Sequence, residues 1–316
     1  MAVHFQSPMK LPVKSIHLPI LAKAYRGGFK AGHGGGNNAF RQLLSRGLFY
    51  FCETTGCCTR QALEVTLDVR GKDVTLQLDP RNRQFSSLYF SKYENGYETL
   101  VARSIDFFLP DDGTFADLGS NWGYFPLLIA SRRNFIGRIH AFEPMPDTFL
   151  DLQQVIEQSG IEKWVSPHCL AVGSESGSVK MRKTRHSGLA HISRDGAGID
   201  VQLTTIDSFN WDRLDVMKVD VEGHELAAFQ GSEKTLESCQ PVIIFENGID
   251  DGKDSLEPVR YLEERAYHCF RPDCDEGTLH FHAFSSSNRD TQPAYLNIVA
   301  LPESRLDQVR KFVVPD

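Results

Sequence analysis

Ten residues limit what this chain can fold into: Thr114-Phe115-Ala116-Asp117-Leu118-Gly119-Ser120-Asn121-Trp122-Gly123. The first five make an apolar run of strand length, the next five a turn with glycine at both ends, and Tyr124 to Arg133 then suits a helix. Strand, glycine turn and helix open a parallel α/β unit, in which ligands gather at the carboxyl ends of the strands. The alternation continues down the chain. Arg138 to Phe142 is a second apolar run, ending in Glu143-Pro144. Asp147 to Gln158 reads as a helix capped by Asp147 and stopped at Gly160. Trp164 to Val172 is a third run, ending at Ala171-Val172-Gly173, and Leu214-Asp215-Val216-Met217 leads into a fourth at Lys218-Val219. Val242 to Phe245 is a fifth, ending in Glu246-Asn247, and Leu256 to Ala266 suits a helix. Ser178 to Arg182 and Asp200 to Ile206 read as an inserted antiparallel pair flanking a polar loop at Arg185 to Leu189; Leu279 to Phe284 and Tyr295 to Leu301 read as a closing pair. Strands alternating with helices predict a largely parallel sheet covered on both faces.

The spacing of the first turn narrows the ligand. It is Asp-x-Gly-x-Asn-x-Gly, not the Gly-x-Gly-x-x-Gly that cradles a dinucleotide pyrophosphate. An acid at the strand end repels a phosphate and attracts a cation, such as the amino group of an amino-acid moiety. Glu143 follows 20 residues after Gly123, where an acid accepts hydrogen bonds from both hydroxyls of a ribose. S-adenosylmethionine has an amino group, a free ribose diol and no phosphate, so both acids fit one ligand.

A second charged junction follows the fourth run: Lys218-Val219-Asp220-Val221-Glu222-Gly223-His224-Glu225. Four ionisable groups, Asp220, Glu222, His224 and Glu225, crowd a strand-to-helix turn. Asp220 and Glu222, two apart, share a face of a regular strand. Three readings are open. His224 is a general base with its tautomer fixed by Glu222 or Glu225. Or Asp220, Glu246 and Asn247 hold a hard cation such as Mg²⁺, a possibility not favoured over the base. Or the acids only cap and orient loops.

Charge divides the chain. Residues 1–85 carry 12 Lys and Arg against 5 Asp and Glu, and no acid precedes Glu53, whereas the remainder has a balance of −14. Nucleic-acid binding by that remainder is therefore not expected. Glycines at 27, 28, 32 and 34–36 and prolines at 8, 12 and 19 make the leader read as a solvated linker; an organelle transit peptide or an arm touching an anionic surface are the alternatives. Phe40 to Phe51 suits a short helix. Leu63 to Leu78 alternates as a hairpin turning at Gly71-Lys72-Asp73, and Tyr97 to Leu109 is helical in pattern. The expected division is an N-terminal extension over 1–85 and a catalytic domain over 86–316. No apolar run approaches the ~20 residues of a membrane helix. The 7 scattered cysteines read as reduced thiols of a cytoplasmic protein.

Taken together, Phe115 to Phe125, Phe142-Glu143-Pro144, Ala171-Val172-Gly173, Thr205 to Phe209, Lys218 to Glu225, Phe229-Gln230-Gly231 and Pro241 to Glu246 resemble, in order, the blocks of the FkbM family of S-adenosylmethionine-dependent methyltransferases. The resemblance covers about residues 114–247 and none of the first 85. It implies the class I methyltransferase (Rossmann-like) α/β fold: a seven-stranded, mostly parallel sheet with a reversed last strand and helices on both faces, here behind an extension containing a β-hairpin. It implies O-methylation of a hydroxyl on a sugar or secondary metabolite, so the expected partner is a small-molecule or glycan acceptor. It further implies that Asp117, Gly119, Asn121 and Gly123, with Tyr124 beside them and Asp220 opposite, hold the methionine end. Glu143 would hold the ribose, with Ala171 and Val172 near adenine. His186, Ser187 and Glu246 would face the acceptor, and His224, Asp220 and Glu222 would be catalytic. Methyl transfer from a sulfonium needs mainly alignment of the acceptor oxygen and removal of its proton. The rival functions are a non-catalytic binding module that retains the fold and a nicotinamide oxidoreductase.

Overall fold

The computed structural model describes residues 10–29, 43–48, 50–51, 62–182, 191–192, 198–248, 256–275, 277–287 and 295–314. His186, Ser187 and the glycine cluster at 32–36 lie outside them, as do positions 40–42 and 49 of the helix expected over 40–51; residues 43–48, 50 and 51 are helical.

The leader is packed where it is described. Strand β1 (Val13–His17) pairs antiparallel with β2 (Leu63–Val69), and helix α1 (Ile20–Phe29) follows β1. Leu11, Leu18, Leu21, Ala22, Ala24 and Tyr25 are buried in the same apolar cluster as Phe115 and Leu127. This corrects the solvated-linker reading for residues 11–29. Pro12 and Pro19 do not break the segment; they stand just before β1 and just before α1, where a missing N–H costs nothing.

The hairpin of β2 and β3 (Lys72–Leu78) turns one residue earlier than expected, at Arg70-Gly71, both in the left-handed region at φ 54° and 84°. The turn carries a side chain with a structural task. Arg70 Nη1 donates to the carbonyls of Ala130, Arg132 and Phe135 at 3.1, 2.6 and 3.0 Å, and Nη2 to that of Arg133 at 2.9 Å. Its backbone N–H reaches Ser131 O at 3.0 Å, and its guanidinium lies 3.9 Å above the Trp164 ring. Ala130 is the last residue of a helix and Ser131 its cap, so their carbonyls are among those a helix leaves unsatisfied at its C-terminus; Arg132, Arg133 and Phe135 belong to the turn that follows.

That helix belongs to the sheet domain. Helix α2 (Thr99–Phe108) precedes β4 (Thr114–Leu118). Then come α3 (Tyr124–Ala130), whose end Arg70 covers, β5 (Arg138–Phe142), α4 (Pro146–Ser159) and β6 (Val165–His168). The next four strands, β7 (Ala171–Val172), β8 (Gly177–Arg182), β9 (His191–Ile192) and β10 (Ile199–Thr204), form a separate small sheet in the order β7-β10-β8-β9. The chain returns through β11 (Val216–Val219), α5 (Glu225–Gln230), α6 (Glu233–Ser238), β12 (Val242–Gly248) and α7 (Glu257–Glu263). It closes with β13 (Tyr267–Asp275), β14 (Thr278–Phe284), β15 (Tyr295–Pro302) and β16 (Val313–Val314).

Among the described residues the main sheet has nine strands, in the order β16-β14-β13-β15-β12-β11-β4-β5-β6. From β12 to β6 neighbours are parallel; β15 is antiparallel to both β12 and β13, and β14 to β13. The sheet is thus mixed and wider than the seven mostly parallel strands expected. β14 and β15 are not paired with each other, because β13 lies between them. Arg271, Pro272, Asp273 and Asp275 interrupt the apolar pattern of β13 in the sequence, yet Tyr267, Cys269, Phe270 and Pro272 are buried in it. Ala171-Val172 is likewise not the end of the third main strand: that strand stops at His168, and β7 pairs with β10 instead. β6 is the sheet edge, which is where Pro167, lacking a donor, is tolerated. Among the described residues Cys169, Cys239, Cys269 and Cys274 are free thiols, and no helix is long and apolar enough to cross a membrane.

Candidate functional site

The carboxyl ends of β4, β5, β11 and β12 surround a cavity of about 280 Å³. The turn after β4 shapes its floor. Gly119, Asn121 and Gly123 have φ of 81°, 51° and 90°, a conformation glycine takes freely and asparagine tolerates. Gly119 and Ser120 donate their N–H groups to Phe142 O at 3.0 and 2.9 Å, which ties the turn to the end of β5. Glu143 follows directly. Its carboxylate accepts the Asn121 N–H at 3.0 Å and the Met145 N–H at 2.9 Å. It is only 5% exposed, and burial pushes its pKa up to about 7 against those two donors. A carboxylate offers about four acceptor sites, so each oxygen retains capacity for a hydroxyl.

Gly119, Asn121, Tyr124, Glu143, Ala171, Val172, Asp220, Glu222, His224 and Glu246 all line this cavity. Asp117 and Gly123 do not. Asp117 is fully buried behind the floor, and Gly123 backs against Leu152, whose Cδ1 would lie 2.6 Å from a Cβ there. Asn247 is buried and off the wall, because neighbours on a strand face opposite ways and Glu246 takes the cavity side. Among the described residues no group of three or more His, Cys, Asp or Glu is placed to hold a metal ion.

Lys218 organises the charges, and sequence reasoning gave it no site role. Its side chain, almost fully buried, places Nζ 3.4 Å from Asp117 Oδ1, 3.3 Å from Asp220 Oδ2 and 5.3 Å from the Phe125 ring centroid. Burial by itself lowers the ammonium pKa, but Asp220, Asp117 and Glu98 outweigh it and hold the group above its ordinary range. Burial raises the Asp117 carboxyl, opposed chiefly by Lys218, and neither Asp117 oxygen accepts a hydrogen bond. A lysine inside the apolar run Val216-Met217-Lys218-Val219 was the available signal, since lysine is seldom buried without a partner.

Glu98 was also missed. It lines the cavity from the start of α2 with a left-handed φ of 43° and caps nothing with its side chain. Burial pushes its carboxyl up to about 7, with Lys218 opposing and Asp220 adding to the rise. No motif marks it; only the backbone conformation does.

The loop after β11 carries the remaining acids. Glu222 and Gly223 are consecutive left-handed residues, at φ 52° and 87°. Glu225 stabilises that bend: its Oε1 accepts the Val221 and Gly223 N–H groups at 3.3 and 3.1 Å. Glu225 is therefore a loop-holding group whose carboxyl is raised first by burial. Glu222 lies at the mouth, raised by partial desolvation and then by the Asp220, Glu246 and Glu225 carboxylates, with solvent screening on its exposed side. His224 stands at the N-cap position of α5 without a side-chain cap bond, and its half-buried ring faces the cavity.

A family model described as a methyltransferase FkbM domain matches residues 77–269. The hexuronic acid methyltransferase AglP of Haloferax volcanii is 30% identical over 165 residues, which are 49% of this chain and 63% of that protein. The chain thus spans less than two thirds of that relative's length. A crystal structure of a methyltransferase FkbM from Methylobacillus flagellatus superposes with a TM-score of 0.42 at 14% identity, covering 81% of this chain and 70% of that one. A putative methyltransferase from Streptococcus mutans in complex with SAH superposes at 0.40 with 12% identity, covering 65% and 99%.

Proposed function

Because this chain belongs to the FkbM methyltransferase family, we propose that it transfers the methyl group of S-adenosylmethionine to a hydroxyl of a sugar or secondary metabolite. The observation that carries the cofactor assignment is Glu143: a buried carboxylate, anchored by two backbone N–H groups, on the cavity wall at the end of β5. Its free acceptor sites suit a ribose diol, which S-adenosylmethionine and NAD both carry; what argues against a dinucleotide is Asp117 at the end of β4 with the Asp-x-Gly-x-Asn-x-Gly turn, where an acid would repel a pyrophosphate. Bound there, S-adenosylmethionine supplies a methyl group already activated by a sulfonium leaving group.

The chain's own residues then divide the work. Glu143 orients the ribose, Ala171 and Val172 contact the adenine, and Gly119, Asn121 and Tyr124 form the floor beneath the methionine end. Asp220, fixed by Lys218, faces the amino group. Asp117 acts from behind the floor by holding Lys218. His224 takes the proton of the acceptor hydroxyl as its oxygen becomes the nucleophile, with Asp220, Glu222 and Glu246 favouring the imidazolium that results. The sugar acceptor is supported by the name of the Haloferax volcanii relative and by a wall rich in hydrogen-bond acceptors for hydroxyls.

Two measurements test this reading. Calorimetry should show binding of S-adenosylhomocysteine and none of NAD. Incubation with labelled S-adenosylmethionine and a panel of glycosides should give a methyl ether identifiable by mass spectrometry. Binding of NAD instead, or label on nitrogen rather than oxygen, would refute it.

A further inference from the structure

A second cavity, of about 420 Å³, lies between the N-terminal extension and the segment 87–96. Its walls combine Tyr89, Phe90, Tyr93 and Tyr124 with the basic side chains of Lys10 and Arg26. Tyr124 also lines the cofactor cavity, so the two spaces meet at that residue. Its phenol oxygen accepts the Tyr97 N–H at 3.2 Å. Arg26 is close enough to Tyr89 to oppose the rise that burial imposes on that phenol. Lys10 Nζ donates to the Glu94 carbonyl at 2.9 Å, which uses one of its three donors. Among the described residues Glu94 is the one carboxylate on this wall, against Lys10 and Arg26.

The two cavities differ in sign. Among the described residues Glu98, Asp220, Glu222 and Glu246 line the first with Lys218 as its cation, so an acceptor carboxylate placed beside Glu222 and Glu246 meets like charge. The second pairs aromatic faces, which take the C–H face of a sugar ring, with cations that take a carboxylate. We propose that this groove is a subsite for a carboxylate-bearing sugar of the acceptor, which it holds beyond Tyr124 while a neutral hydroxyl of the same acceptor enters the acidic cavity. The inference rests on the sugar-hydroxyl reading above and adds the charge of the acceptor and the place of that charge. It also gives the extension a part in the site that residues 114–247 alone do not contain.

The full chain, saturated with S-adenosylhomocysteine, should be titrated with methyl glucuronide and with methyl glucoside, followed by ligand-observed NMR. The glucuronide should bind at least tenfold more tightly than the glucoside. Lys10→Gln and Arg26→Gln, neither in the apolar core, should each abolish most of that difference and leave the affinity for S-adenosylhomocysteine unchanged. Equal binding of the two sugars, binding of neither, or glucuronide affinity indifferent to both substitutions overturns the subsite. Failure to bind S-adenosylhomocysteine overturns instead the methyltransferase reading; the same glucuronide preference on the unliganded chain then still supports the groove, and its absence overturns it.

Discussion

The carbonyl oxygen of Asp220 lies so close over Gly119 that a Cβ on Gly119 would sit 1.9 Å from it. β4 and β11 are paired in register up to Leu118 and Val219, and their chains stay in contact one residue further. Gly119→Ala is expected to disrupt the site twice. A non-glycine residue at φ 81° costs roughly 1–2 kcal/mol in backbone conformation, and the clash pushes Asp220 off the wall. Loss of detectable S-adenosylhomocysteine binding by calorimetry is the expected result; a Gly119→Ala variant that binds as the parent does would mean that the two strand ends are not this close.

Glu143 supplies a pH signature. Its folded-state carboxyl is raised to about 7, and Glu98 shifts the same way, whereas an unfolded glutamate titrates near 4.3. Between these values the native state binds more protons than the unfolded one, so stability without ligand should fall as pH rises from about 4.5 through 7. Ribose hydroxyls donate to the ionised carboxylate, so S-adenosylhomocysteine affinity should rise over the same interval. Glu143→Ala should weaken binding by about 1.5–3 kcal/mol, and Glu143→Gln should flatten the pH dependence. Calorimetry at pH 5.5, 6.5 and 7.5 decides between this and a pH-independent site.

Replacing His224 by alanine should lower turnover by a factor of about 10² or more while cofactor affinity stays near the parent value. EDTA should leave turnover largely unchanged. The informative comparison is kcat against the binding constant for S-adenosylhomocysteine. Full turnover by the variant removes the imidazole from proton transfer, and EDTA inactivation reversed by Mg²⁺ would assign the role to a metal on Asp220 and Glu246.

Leu21, on α1, is buried in the cluster that also holds Phe115. Leu21→Ala should therefore cost about 2–5 kcal/mol, as truncation of a core leucine does. A thermal melt should register this as a fall of several degrees. A melt that does not move would show that the leader's packing adds nothing to the fold.

What the sequence disclosed and what it hid separate along physical lines. The cofactor side was legible because its chemistry needs particular residue types at short spacing: Asn121 is hydrogen-bonded to Glu143, and Gly119 to Phe142 beside it, within 25 residues. Local periodicity likewise found β4, β5, β11 and β12, which are apolar on both faces. β13 escaped because its edge-side residues are charged and contain a proline, and the pairing that settles it, with β15, spans some 30 residues. The leader was misread because proline and glycine content reports what a segment does alone, while residues 11–29 are ordered by contacts with residues 63–90. Lys218 and Glu98 could be placed only once the strand ends were brought together, since their roles depend on Asp117, Asp220 and each other.

Arg70 fastens the hairpin to the last carbonyl of α3, at Ala130, through Nη1, and to the turn that follows the helix through both Nη atoms. The opposite end of that helix begins at Tyr124, on the cofactor cavity. Opening the hairpin therefore exposes the last turn of α3, and fraying of α3 loosens the floor of the site. The two should exchange amide hydrogen at a common rate, as one cooperative unit rather than as an appendage and a core. Saturating ligand, although it touches only the far end of the helix, is then expected to slow exchange across β2 and β3 as well.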